Sequence, residues 1–229
     1  NFSGERAFQK VADFVQAGPH PAGSEASLSY LASLRETLTQ LGWEVKGQPF
    51  KEATPIGEVR FTNLLARFPR AENKKVDWNS GGHVLLASHF DTKYFEDIHF
   101  VGANDGGSST AILLEAARCL AEKPALAARV ELVFFDGEEA YVAFTASDGL
   151  YGSRHYASRL RGADKASWPS AMVLLDLVGE DALNVRIPPN GSAELLGKLY
   201  SAARDLGTRK YFGQARHPII DDHVPFNHL

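Results

Sequence analysis

The stretch Val130–Phe135, reading VELVFF, constrains this chain more than any other. It is short, apolar and rich in β-branched and aromatic residues, which suits a strand buried on both faces. It ends abruptly in Asp136-Gly137-Glu138-Glu139, three carboxylates within four residues. Acids at the end of a buried strand are costly unless something compensates them. Two readings are open. Asp and Glu usually lie in water, which would make this a solvated turn. The alternative is a metal site, with one glutamate as ligand and its neighbour as proton carrier.

Other strands and helices alternate around this stretch. Residues 3–17 place Phe8, Val11, Phe14 and Val15 at helical spacing. A second helix over 24–41 sets Leu28, Leu31, Leu34, Leu38 and Leu41 near one face, with Gly42 where a C-terminal glycine belongs. Residues 43–50 and 59–68 read as strands joined by a Pro/Gly turn at 55–57. Residues 71–82 read as a polar surface loop whose Lys74 and Lys75 are solvated charge. Residues 84–88 form a buried strand that delivers His89-Phe90-Asp91. The segment 102–107 opens a helix running to Glu122, with Ile112, Leu113, Ala116 and Leu120 as its buried face. A helix over 150–160, a buried strand over 171–178 containing Asp176, a loop over 186–191 and a helix over 192–206 complete the order. The pattern predicts a single α/β domain with a central mixed, largely parallel sheet flanked by helices, the hairpin 43–68 lying at one edge.

Composition narrows the function. The chain has 229 residues, 44% of them hydrophobic, and a net charge of -4 with the signs interspersed. No basic face results, so nucleic acid is not an expected partner. No run of about 18 apolar residues occurs, so no membrane span is expected. Cys119 is the single cysteine and excludes an intrachain disulfide. A lone cysteine suits the cytosol and does not exclude an exported protein; the compartment stays open, with secretion or the periplasm expected over the cytoplasm.

Four unusual polar groups share one structural address, the C-terminal end of a buried strand or the loop after it. They are His89 with Asp91, Asp105, Glu138 with Glu139, and Asp176. In open α/β sheets that edge is where ligand sites assemble. His, Asp and Glu are suitable ligands for zinc. Asp176 stands among Leu174, Leu175, Leu177 and Val178, where an acid needs a metal or a hydrogen-bonded partner.

These residues resemble the M28 family of zinc aminopeptidases, and more closely its glutaminyl cyclase branch, the animal-type glutaminyl-peptide cyclotransferases. His89-Phe90-Asp91-Thr92-Lys93-Tyr94-Phe95 is similar to that branch's H-[YF]-D-[ST]-K-Y-F. Phe135–Ala140 matches F-D-G-E-E-A, 150–155 matches L-Y-G-S-R-H, and 221–226 is similar to D-D-H-[IV]-P-F. The resemblance covers most of the chain, from residue 18 onward. It implies a zinc-exopeptidase-like fold and an enzyme that converts the N-terminal glutamine of a peptide or protein to pyroglutamate with release of ammonia. The alternative it implies is a two-zinc aminopeptidase. In the cyclase reading Asp105 and Glu139 are zinc ligands, Glu138 is the general acid/base, and Asp176 and Asp221 are acidic hydrogen-bond partners. In the aminopeptidase reading His89 and Asp176 hold a second zinc, with Asp105 bridging. The family's last zinc ligand, a His in a Trp-His-Thr-like segment, is expected beyond Leu229, which implies a chain cut short on that side. Phe144 stands where the cyclases carry a pocket Trp, and Asn104–Ser108 looks more like the aminopeptidase loop. Asp136, and likewise Tyr151, Arg154 and His155, are expected to be structural.

Overall fold

The computed structural model describes residues 1–70, 72 and 75–229. Lys74, one of the two lysines expected as solvated charge, lies outside the described residues; Lys75 is exposed. Five strands form one sheet in the order β1-β2-β4-β3-β5. β1 (Glu44–Thr54) and β2 (Gly57–Arg67) make the antiparallel edge hairpin. β3 (Val84–His89) lies parallel to both β4 (Val130–Phe135) and β5 (Ala171–Leu174), and β2 runs antiparallel to β4. The sheet is therefore mixed with a parallel core, as the alternation of elements predicts.

All of β4 is buried, and its side chains divide by the strand's two-residue period. Val130, Leu132 and Phe134 pack with Leu34 and Leu38 of α2 (Glu25–Gln40) and with Leu113, Leu114 and Ala117 of α3 (Gly107–Ala121). Val133 and Phe135 pack on the other face with Leu85, Ala87, and Tyr156 and Leu160 of α5 (Tyr151–Arg161). Each fully buried Leu or Phe contributes about 1.5–3 kcal/mol through removal from water. α1 (Gly4–Gln16) and α2 begin at Ser3 and Ser24, whose side chains accept the N–H of Arg6 and Ser27.

One charged residue sits inside β4. Glu131 is fully buried and lies directly across from Arg67 of β2. Its carboxylate accepts from Arg67 Nε and from the Tyr156 hydroxyl, the latter at 2.8 Å. Arg67 also donates to the carbonyls of Asp77 and Ser80, at 3.1 and 3.0 Å, tying the following loop to the sheet.

Several local expectations are corrected. Phe8 and Leu28 are 75% and 59% exposed. α1 packs chiefly against α3, so only the narrow stripe of Ala7 and Phe14 is buried and Phe8 falls outside it. The buried face of α3 centres on Leu113, Leu114 and Ala117, with Ile112 and Ala116 only half-buried. β5 is a four-residue, half-buried edge strand, and Asp176 lies in the loop after it. Pairing with β3 stops near Ala87, and Leu177 then takes a left-handed φ of 48° that turns the chain away. Part of the expected loop at 186–191 is β6 (Val185–Ile187), which pairs in parallel with β7 (Phe212–Gln214) across α6 (Ala193–Asp205). α4 (Pro124–Ala127) is a single turn before β4. No helix among the described residues is long and apolar enough to cross a membrane.

Replacing Glu131 by Ala strands a buried guanidinium and is expected to lower unfolding free energy by about 3–5 kcal/mol. Replacing Arg67 and Glu131 together by Met and Leu is expected to cost far less. Denaturant titration of both variants checks the pair.

Candidate metal centre

The parallel register of β3 and β4 sets His89 beside Phe135, so the segments after both strands emerge together. His89 is almost fully buried. Its Nε2 lies 3.2 Å from Asp105 Oδ1 and 3.4 Å from Asp176 Oδ1, and its Nδ1 lies 3.5 Å from Asp91 Oδ1. Among the described residues neither ring nitrogen makes a directed hydrogen bond. Gly106, at φ 75°, lets α3 begin this close, because a Cβ there would sit 3.0 Å from the imidazole.

The other groups are fixed from several elements. Asp176 accepts the N–H of Leu177 at 2.7 Å. Its loop is docked on the start of α3 by Val178 N–H to Ser108 Oγ, 3.1 Å, and Gly179 N–H to Asn104 Oδ1, 2.8 Å. Asp91 is fully buried and accepts the backbone N–H of Glu138 at 3.0 Å and of Glu139 at 3.2 Å. One carboxylate thus sets the height of both glutamates. Asp136 turns toward β2 and accepts the Thr62 N–H at 2.6 Å. Lys93 donates to the Ala140 carbonyl and lies 3.8 Å from Glu139 Oε2.

Burial in this acidic setting shifts protonation. Burial lifts the Glu138 carboxyl to about 10; His89 opposes this, while the charges of Asp222, Asp221 and Asp91 add to it. Glu139 is lifted to about 8 by burial and by the facing charges of Asp105 and Asp91. Asp221 is lifted to about 7 by burial and by Asp176. Asp222 is pushed well above the usual carboxylate range by burial and by Asp221, and among the described residues neither of its oxygens has a hydrogen-bond donor. For Asp176 burial acts upward, but the contact and charge of His89 outweigh it and hold the group low. For His89 burial acts downward, and the contacts with Asp105, Asp176 and Asp91 outweigh it and raise the imidazole well above its ordinary value.

A divalent cation fits this arrangement. Seven carboxyl groups (Asp91, Asp105, Glu138, Glu139, Asp176, Asp221 and Asp222) share the edge with the basic side chains of His89 and Lys93. The donors are the nitrogen and oxygen ligands that suit zinc. Donor atoms of His89, Asp105 and Asp176 lie within 4.8 Å of one another. Glu139 stands outside that grouping, its Oε2 3.8 Å from Lys93 Nζ. Glu138 lies deeper, toward Asp221 and Asp222. The clamp role of Asp91 and the burial of Asp222 escape sequence reasoning. Their only signal is adjacency to His89 and to Asp221.

Fold and site together define an α/β protein of the zinc-exopeptidase type, with a histidine–carboxylate centre at the C-terminal ends of its parallel strands. The chain belongs to peptidase family M28, whose model matches residues 63–229. It is 32% identical over 250 residues to the glutaminyl-peptide cyclotransferase of Bothrops jararaca, a match covering 93% of this chain and 65% of that protein. The chain therefore spans just under two thirds of that relative's length. An Acidobacteriales bacterium glutaminyl cyclase structure superposes with a TM-score of 0.86 at 32% identity, covering 99% of this chain and 76% of the other. A Zn-dependent exopeptidase from Parabacteroides distasonis gives 0.81 at 26% identity, covering 98% and 80%.

Asp91→Asn removes one of the two acceptors that orient the glutamates. It is expected to weaken zinc binding about 10–100-fold, the usual effect of losing a group that orients ligands. Competition titration with a zinc indicator measures this, with thermal unfolding as the check on folding.

Proposed function

We propose that this chain carries the catalytic centre of a zinc-dependent glutaminyl-peptide cyclotransferase acting on the N-terminus of peptides or proteins. The observation that carries this reading is the likeness to a glutaminyl-peptide cyclotransferase, 32% identical in a match that covers 93% of the chain. Asp105 and Glu139 would hold zinc, with His89 and Asp176 beside them; His89 would itself be a ligand if a second zinc bound. When bound there, zinc supplies Lewis-acid polarisation of the γ-amide carbonyl. The substrate's own α-amine is the nucleophile, in keeping with the lack of a Ser or Cys nucleophile motif in the sequence.

Glu138 takes a proton from the α-amine as its nitrogen bonds to the carbonyl carbon of the side-chain amide. It returns that proton to the amide nitrogen, the C–N bond breaks, and ammonia leaves. Its burial beside Asp221 and Asp222 favours a carboxyl that can hold a proton between the two transfers. Asp176 and Asp221 would share a proton or orient the leaving nitrogen, a role supported by the upward push that the charge of Asp176 gives the Asp221 carboxyl. Asp91 keeps Glu138 and Glu139 side by side, so one serves the metal and the other the proton.

A second reading, an M28 aminopeptidase with two zinc ions, is favoured by one observation: His89, Asp105 and Asp176 group apart from Glu139. Metal analysis separates the two, since about two tightly held zinc ions per chain would support the aminopeptidase.

Purified full-length protein is expected to form pyroglutamate and ammonia from a Gln-initiated peptide, and to lose this activity on chelation. Release of free glutamine without pyroglutamate would overturn the proposal. Glu138→Gln is expected to lower kcat about 10²–10⁴-fold, the usual worth of a proton shuttle, while zinc content is retained.

A further inference from the structure

The segment between Glu139 and α5 has no regular structure, yet a single buried acid closes it on itself. Asp148 is 3% exposed. Its Oδ1 accepts the N–H of Tyr141 at 2.8 Å and the hydroxyl of Tyr151 at 3.0 Å. Its Oδ2 accepts the N–H of Val142 at 2.9 Å and of Ala143 at 3.0 Å. Four donors match the roughly four lone-pair sites of a carboxylate. Burial acts to raise this carboxyl, but the three backbone donors and Tyr151 outweigh it and hold the group below its ordinary value. Among the described residues no basic side chain pairs with it.

The ends of the segment are fixed as well. Leu150, at φ 54°, donates its N–H to the Glu138 carbonyl, and Tyr151 donates to that of Gly137, both at 2.8 Å. The Tyr141 hydroxyl donates to the Ala22 carbonyl at 2.8 Å. The large side chains that the closed segment presents are apolar: Val142 is 73% exposed and Phe144 41%. Phe144 is seated against Gly149, where a Cβ would come within 2.6 Å of its ring. Lys93 Nζ lies 5.8 Å from the Phe144 ring and 3.8 Å from Glu139 Oε2. The ring is therefore held one side chain away from Glu139.

We propose that Asp148 is a positioning residue for substrate: it folds 141–149 into a fixed apolar wall beside Glu139, with Phe144 as the face the substrate meets. The identity of that substrate rests on the cyclotransferase reading above; the wall itself rests on the geometry. A capping role for α5 alone would involve Tyr151 and leave the three amides of 141–143 without purpose.

The test uses Asp148→Asn and Asp148→Ala in the full-length protein, with Phe144→Ala as reference and zinc content and thermal unfolding measured in parallel. KM for a Gln-initiated peptide is expected to rise about 10-fold or more in Asp148→Asn, the scale of lost pocket contacts, with kcat and zinc content nearly unchanged. Adding Phe144→Ala should raise KM no further, because both changes remove the same wall. If the Asp148 variants do not fold, Tyr151→Phe, which removes one of four donors, should shift KM in the same direction by less. Hydrogen exchange gives a readout free of activity: the amides of Tyr141, Val142 and Ala143 should be protected in the wild type and lose protection in Asp148→Asn while α5 stays protected. An unchanged KM, multiplying effects in the double variant, or amides that stay protected would each overturn the proposal. If the wild type forms no pyroglutamate, the functional reading fails by itself, and exchange still decides whether Asp148 holds the segment.

Discussion

A single imidazole, that of His89, stands among Asp91, Asp105 and Asp176 in a nearly dry setting. Charges brought this close out of water either neutralise by proton uptake or attract a counter-charge. The protein shows both responses. Glu138, Glu139, Asp221 and Asp222 shift toward their protonated forms, while Asp176 stays ionised against His89. A cation entering this edge would release that tension, and the remaining acids would then titrate nearer the neutral range where proton transfer is useful. The chemistry proposed for the site thus grows out of an electrostatic imbalance that the fold itself imposes.

The fold imposes it through register. Two parallel neighbours ending level with each other put the His89–Asp91 segment and the 136–139 segment on one edge. Gly106 brings the start of α3 against the imidazole, and the left-handed Leu177 turns the chain after β5 so that Asp176 closes the third side. Backbone of this kind is tolerated where its surroundings over-determine it, and Ser108 and Asn104 do that for the Asp176 loop.

Much of this was legible before any coordinates. The apolar run of β4, interrupted by Glu131 alone, announced a strand covered on both sides, and the acids after each strand announced a shared edge. Short or one-sided elements were not legible. β6 and β7 have three residues each, too few for a period to show. Phe8 fits a helical stripe, but which stripe is buried depends on which neighbour α1 meets. Asp91 looked like a companion of His89; that both its oxygens serve the backbone of Glu138 and Glu139, 47 and 48 residues away, is a fact of tertiary structure. The same holds for Asp136, whose partner on β2 lies 74 residues distant.

The buried Glu131 has a bearing on assembly as well as on stability. β4 is apolar on both faces, so hydrophobic burial alone would accept it shifted by one residue against its neighbours. Glu131 does not accept that shift. Its carboxylate finds Arg67 directly opposite and Tyr156 above it only when the strand sits at its native height. A slipped strand would leave an acid facing apolar side chains and would carry Glu138 and Glu139 away from the oxygens of Asp91. An ion pair at one end of the strand thereby proofreads the placement of the glutamates at the other.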